Sequence, residues 1–215
     1  MRWIGAGRSV QTRSVVALCG ALLLSACGAH YAQVPARLNL QPYGRVALVT
    51  FSTDRGNTEL GVSATRRFAE ALLADQAGVE LLELTGADSS LQALAASGDP
   101  TALAQALGRE KGVPAVFLGQ LTVSGVKPQG LVSLADGARV RASVSAELTV
   151  RLLSTTSGGT VWRSSAAADR TVGRLAVAGG LPSVSVRDPN DAYGQVVNDL
   201  VHTVTRDLRP TWVKQ

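Results

Sequence analysis

Two cysteines, two histidines and a scatter of carboxylates are the groups in this 215-residue chain that could do covalent, acid–base or metal chemistry. The histidines assemble with nothing. His30 stands three residues after Cys27 in a stretch without periodicity, where a catalytic geometry could not be held. His202 falls about 200° around a helix from Leu200, on the solvent side. Asp54, Asp136, Asp169 and Asp191 all fall near the ends of expected strands or in turns, where aspartate caps helices and closes turns. Ser52-Thr53-Asp54-Arg55-Gly56-Asn57 follows an apolar strand and precedes a helix, a place where anions bind in many α/β proteins. It lacks the glycine spacing and the lysine of a phosphate loop. No catalytic residues, no metal ligands and no cofactor are expected.

Cys27 is different. The sequence before it opens with Arg2, Arg8 and Arg13 and no acid, then runs apolar from Ser14 to Ala26, the order of an exported leader. The run is shorter than the roughly 20 apolar residues of a spanning helix. It ends Leu24-Ser25-Ala26-Cys27-Gly28, the aliphatic, small, small, cysteine order of the bacterial lipobox. Leu24, Ser25 and Ala26 would be read by the signal peptidase, and the Cys27 thiol would carry diacylglycerol and become the new N-terminus. Cys19 lies inside the apolar run and would leave with the leader. Gly28 rather than aspartate after the cysteine favours the outer membrane, facing the periplasm.

Removing residues 1–26 changes the charge. Three of the 21 basic residues go with the leader, leaving 18 against 16 acids. A nearly neutral chain without a basic run is not a nucleic-acid binder. With Cys27 the sole remaining cysteine, stability rests on a packed core rather than disulfides. The 189 residues from 27 to 215 suffice for one core.

The elements that must position everything else follow in order. Residues 28–44 hold Pro35 and Pro42 and show neither period, so they read as a lipidated tether of roughly 50 Å at about 3.3 Å per residue. Arg45 to Phe51 is apolar on both alternations, as a strand buried on both faces must be. Leu60, Ala64, Phe68, Ala71 and Leu72 mark a helix, and Val79 to Thr85 a second strand. Two helical stretches follow, 88–96 and 100–111, the second with Asp99 as cap and Pro100 in the first turn. Pro114 to Val123 is a third strand. Val140 to Leu152 alternates apolar and polar over its whole length, Ser154 to Gly159 turns, and Thr160 to Val172 returns with Trp162, Ala166 and Ala168 on one face. A last helix starts near Asp188 and carries Tyr193, Val197, Leu200, Val204 and Leu208. The expectation is a single α/β (α+β) two-layer domain over 45–208, a mixed sheet with the order β-α-β-α-α-β-β-β-α, and a tail over 209–215.

Segments 124–138 and 173–187 fit no element. Leu131 and Leu181 lie in them among glycines, valines and serines, and such apolar residues are costly to leave in water. The polar face of the long strand offers Arg141, Glu147 and Arg151, with Arg163 on the returning strand, and arginine is favoured at recognition surfaces. Leu131, Arg141, Arg151, Arg163 and Leu181 are therefore the candidate partner-binding residues.

The run Leu148-Thr149-Val150-Arg151-Leu152-Leu153, followed by Ser157-Gly158-Gly159-Thr160-Val161-Trp162, resembles a hairpin of one superfamily. That superfamily joins the curli-secretion lipoprotein CsgG, the penicillin-binding-protein activator LpoB and the N-terminal domain of TolB. The resemblance covers most of 45–208, but its motifs are structural, and superfolds host many activities. It implies an outer-membrane lipoprotein acting as an accessory or partner-binding part of an envelope machine for cell-wall synthesis or surface-polymer secretion. A ring-forming component of a secretion complex is the alternative, and a hydrolase is third because no nucleophile–base pair is found. Partners would be the membrane, through the N-terminal lipid, and an envelope protein or further copies of the chain. Curli-type channels insert two hairpins per subunit. Pro128 and Pro182 weigh against continuous strands through 124–138 and 173–187, so no pore is expected by that route.

Overall fold

A computed structural model describes residues 31–54, 58–84, 98–125, 127–133, 137–178, 181–186 and 189–214. The leader, Cys27, His30, the helical stretch 88–96, Asp136 and residues 55–57 of the candidate anion loop lie outside the described residues.

The core starts from β2 (Arg45–Val49), which pairs in parallel with β4 (Glu80–Leu84) on one side and with β5 (Ala115–Val123) on the other. Its two apolar alternations serve two cores: Val46 and Leu48 join the larger cluster, Ala47 the smaller. A two-residue strand β3 (Ser52–Thr53) pairs with β5 beyond it. The helix α1 (Thr58–Asp75) buries Ala64, Phe68, Ala69 and Leu72. It lies so close to the β2–β3 turn that a Cβ on Gly61 would stand 2.5 Å from the Phe51 carbonyl oxygen. Beside it, the Thr65 hydroxyl accepts from Phe51 N and donates to Gly61 O, both at 2.8 Å.

The second described helix, α2, runs Pro100–Lys111 as its signals require. Asp99 Oδ1 accepts from Thr101 N at 2.9 Å and Ala102 N at 3.3 Å, and Gly112 closes the helix with φ +65°. Its Leu103 and Leu107 pack with Ala47, Val113 and Val116 on the sheet face opposite α1. The parallel half of the sheet thus has helices on both faces. The antiparallel half has the two-layer arrangement.

The long alternating strand is β7 (Gly137–Ser154), paired antiparallel with β5 through Ala115↔Ser154 and with β8 (Thr160–Ala178) through Leu148↔Ala166 and Leu152↔Trp162. Val144, Ala146, Leu148, Val150 and Leu152 are all buried. At the turn, Gly158 has φ +71° whereas Gly159 does not need a positive angle. The turn is tied back to the entry of β5: Thr155 Oγ1 donates to Val113 O at 2.6 Å. Edge-on aromatic contacts join Phe51 to Phe68 and Phe68 to Phe117 across the layer interface, and Phe117 to Trp162 along the sheet, at centroid separations of 5.4, 5.3 and 6.1 Å. The last helix, α3 (Pro189–Val204), packs on β7 and β8 beside α1. It ends four residues earlier than the apolar stripe suggests, and Leu208 is buried from a 3-10 turn, Thr205–Leu208.

Three readings are corrected. Segments 124–138 and 173–187 contain strands: β6 (Lys127–Ser133) pairs with β7, and β8 continues to Ala178 to pair with β9 (Leu181–Val186). Pro128 and Pro182 do not prevent this, because among the described residues β6 pairs with β7 alone and β9 with β8 alone, and a strand with one free edge tolerates a missing N–H. The sheet order is β4-β2-β5-β7-β8-β9, with β6 continuing the line of β5 along β7. Second, residues 36–44 are not a tether. Leu38 and Leu40 are buried, and Gln76 grips both: its Nε2 donates to Leu38 O at 3.0 Å and its Oε1 accepts from Leu40 N at 2.9 Å. Third, the rest of the tether and the tail are not featureless. Apart from the unit of residues 36–210, β1 (Tyr31–Val34) and β10 (Thr211–Lys214) form a two-stranded antiparallel ribbon.

Candidate functional site

Because the even-numbered residues of β7 face the larger core, the odd-numbered ones from Ser143 to Arg151 face away from it. On this face Arg151 stands directly opposite Arg163 of β8, with Thr149 opposite Ser165. Thr149 Oγ1 donates to Ser165 Oγ at 3.3 Å. Arg151 is half-buried and Arg163 exposed. Directly opposed residues have Cβ atoms about 4.5–5.5 Å apart, and like charges there are unfavourable. Among the described residues neither guanidinium has a carboxylate partner.

Arg151 also lines a cleft of about 490 Å³ beyond the carboxyl end of β2, with Thr50, Ser52, Asp99, Gln120 and Thr149. The Asp99 carboxylate is already engaged in capping α2. The Thr50, Ser52 and Thr149 hydroxyls already donate to Leu84 O, Gly119 O and Ser165 Oγ, so among the described residues the cleft offers the Arg151 guanidinium and the Gln120 amide, groups that recognise a carboxylate or another planar anion.

The other candidates separate. Arg141 lies ten residues from Arg151 along β7, roughly 34 Å at the antiparallel rise of about 3.4 Å, and is registered with Gln129 and Arg174. Leu131 of β6 is registered with Arg139, and Leu181 of β9 with Ala178. They belong to the two outer strands of a four-stranded end, β6-β7-β8-β9. Those outer strands have seven and six residues, against about 9–11 in a strand that spans a bilayer. The structure thus brings Arg151 and Arg163 together and leaves Arg141, Leu131 and Leu181 at the far end. Cys27, Leu24, Ser25 and Ala26 lie outside the described residues.

Of the remaining polar residues, Asp54 Oδ1 accepts from Val123 N at 3.1 Å, a structural tie. Asp191 sits in the first turn of α3. His202 is exposed, and its carbonyl accepts from Arg209 at 2.7 Å. Among the described residues no three His, Cys, Asp or Glu side chains are placed to hold a metal ion, and no helix is long and apolar enough to cross a membrane. Sequence reasoning missed the exposed aromatics of the ribbon, Tyr31 and Trp212. Four residues per strand are too few to show a period, and the only signal was a Trp-Val pair in an otherwise polar tail.

No protein family and no curated protein matches this chain. Solved structures with similarity to it include a PelC dodecamer from Paraburkholderia phytofirmans, 17% identical, with TM-score 0.43 over 84% of this chain and 98% of that one. The LpoB C-terminal domain from Salmonella enterica is 16% identical, with TM-score 0.34 over 69% of this chain and 90% of that one. Lipoprotein GNA1162 from Neisseria meningitidis is 18% identical, with TM-score 0.33 over 59% of this chain and 83% of that one. Similarity at this level brings neither their assembly nor their partners across to this chain.

Proposed function

We propose that this chain is a non-enzymatic lipoprotein of the bacterial outer membrane, anchored through Cys27 and facing the periplasm. Its domain docks as an accessory component on an envelope machine for cell-wall synthesis or surface-polymer secretion. The observation that carries the docking reading is the Arg151–Arg163 register, two opposed guanidiniums without a counter-charge among the described residues. Such a pair costs stability in the isolated domain and is relieved by an acidic partner, whose carboxylates each guanidinium can hold through two parallel hydrogen bonds. Arg141, Leu131 and Leu181, at the far end of β6, β7 and β9, would form a second contact apart from this pair.

Two measurements test this. Replacing both Arg151 and Arg163 by Glu should abolish cross-linking to the acidic partner in intact envelopes while the domain melts normally. Unchanged cross-links would end the reading. Cys27→Ala should give a protein of unacylated mass that no longer sediments with membranes. Unchanged mass and fractionation would remove the anchor.

A ring of copies is the second reading. Among the described residues the sheet order ends in β4 and β9, each paired on one side, which is what strand pairing between subunits uses. A native mass of several chains for residues 27–215 would favour it over a monomeric accessory protein.

A further inference from the structure

The β1–β10 ribbon exposes large apolar side chains on each of its faces. Tyr31 is 60% exposed, Trp212 65%, Val213 45% and Val34 42%. Tyr31 pairs with Lys214 and Gln33 with Trp212, so the two aromatics and the lysine share one face, while Ala32, Val34, Thr211 and Val213 share the other. A two-stranded ribbon cannot bury a side chain this large by itself. Its sequence carries one positive charge, two aromatics and no acid.

We propose that this ribbon is a membrane-contact element that lays Trp212 and Tyr31 into the headgroup layer of a phospholipid bilayer, with Lys214 against anionic lipid. The proposal rests on the anchor at Cys27 for one of its arguments. Tyr31 is four residues from Cys27, so a lipid there holds the start of β1 within about 14 Å of the membrane surface. The composition supplies the second argument: Trp and Tyr concentrate where water meets hydrocarbon, because their rings are apolar and their N–H and O–H groups stay wet. A basic side chain near an anionic surface adds attraction that salt weakens. Size supplies the third. The ribbon has eight residues, whereas a specific protein interface uses about 20–30 a side. A bilayer demands no such shape-matched area.

All described structure lies within residues 31–214, so the chain begun at residue 27 with Cys27→Ser keeps it and has no lipid or leader of its own. In that chain Trp162 and Trp212 are the two tryptophans, and subtracting the spectrum of Trp212→Ser from the parent's gives the emission of the second. With vesicles of phosphatidylethanolamine and phosphatidylglycerol, Trp212 emission should shift to the blue and be quenched by brominated lipid. Tyr31→Ser with Trp212→Ser should lower the vesicle partition coefficient read by flotation by roughly tenfold, the change that about 1.4 kcal/mol produces. Phosphatidylcholine vesicles should keep the blue shift and lose the salt-sensitive part that Lys214 supplies. Trp212 emission that stays that of water-exposed indole with vesicles in excess overturns the proposal. A blue shift that needs no vesicles and follows protein concentration overturns it in favour of contact between copies. Failure of the Cys27 anchor is read separately, from the mass of protein recovered from cells, and leaves this vesicle assay intact.

Discussion

Gln76 Nε2 donates to the carbonyl oxygen of Leu208 at 2.6 Å, joining the end of α1 to the last turn of the domain. The same nitrogen donates to Leu38 O, and the side-chain oxygen accepts from Leu40 N. One buried amide thus satisfies backbone groups of both the entering and the leaving segment. Gln76→Ala leaves an N–H and two carbonyls without that partner, and should lower the unfolding free energy by about 2–4 kcal/mol in a urea titration. A midpoint equal to the parent's would mean that water replaces the amide at no cost.

Phe68 touches both Phe51 and Phe117 and is fully buried. Truncating it to Ala should cost about 3–5 kcal/mol. Phe68→Leu, which keeps most of the volume, should cost less than half of that in the same titration. Equal losses would show that ring geometry rather than filled space holds α1 to the sheet.

Two helical glycines should respond with opposite signs. A Cβ at Gly194 of α3 meets nothing within 4 Å, so Gly194→Ala should stabilise by about 0.5–1 kcal/mol. At Gly61 the same methyl strikes the Phe51 carbonyl. Gly61→Ala should destabilise by about 1–3 kcal/mol despite its gain in helix propensity. Matched thermal melts decide, and a stabilised Gly61→Ala would mean that α1 shifts freely against the β2–β3 turn.

The Arg151–Arg163 register predicts a gain where most substitutions lose. Arg163→Glu exchanges a repulsive cross-strand pair for an attractive one and should stabilise the domain by about 0.2–1 kcal/mol at low salt. The gain should shrink toward zero near 1 M salt, where screening acts over about 3 Å. A stabilisation indifferent to salt would assign the effect to strand propensity.

How far this architecture could be read beforehand follows from where its signals are long. β2, with both alternations buried, and α2, with Asp99 and Pro100 at its start, were legible because each carries a strong local code. The buried half of β7 was legible for the same reason, since Val144 to Leu152 alternate against a core. Beyond Val140 the pattern yields to glycines, and β6 and β9 hold a proline each. Pairing there is fixed by neighbours rather than by the segment's own residues. Leu38 and Leu40 read as tether because their burial depends on Gln76, 36 residues away from Leu40. For the site, each arginine could be listed from its strand, but the Arg151–Arg163 opposition depends on the turn and on the register shift between Leu152 and Leu153.

The docking of residues 36–44 onto the domain sets how far the protein can reach. From Cys27 to Ala36 there are nine residues, a leash of at most about 30 Å when fully extended. If the proposed lipid sits on Cys27, a domain on so short a leash stays within a thin shell at the membrane, and whatever it meets must come there. Copies sharing that shell would be concentrated by confinement alone, so a contact between them too weak to register in dilute solution would become populated at the surface.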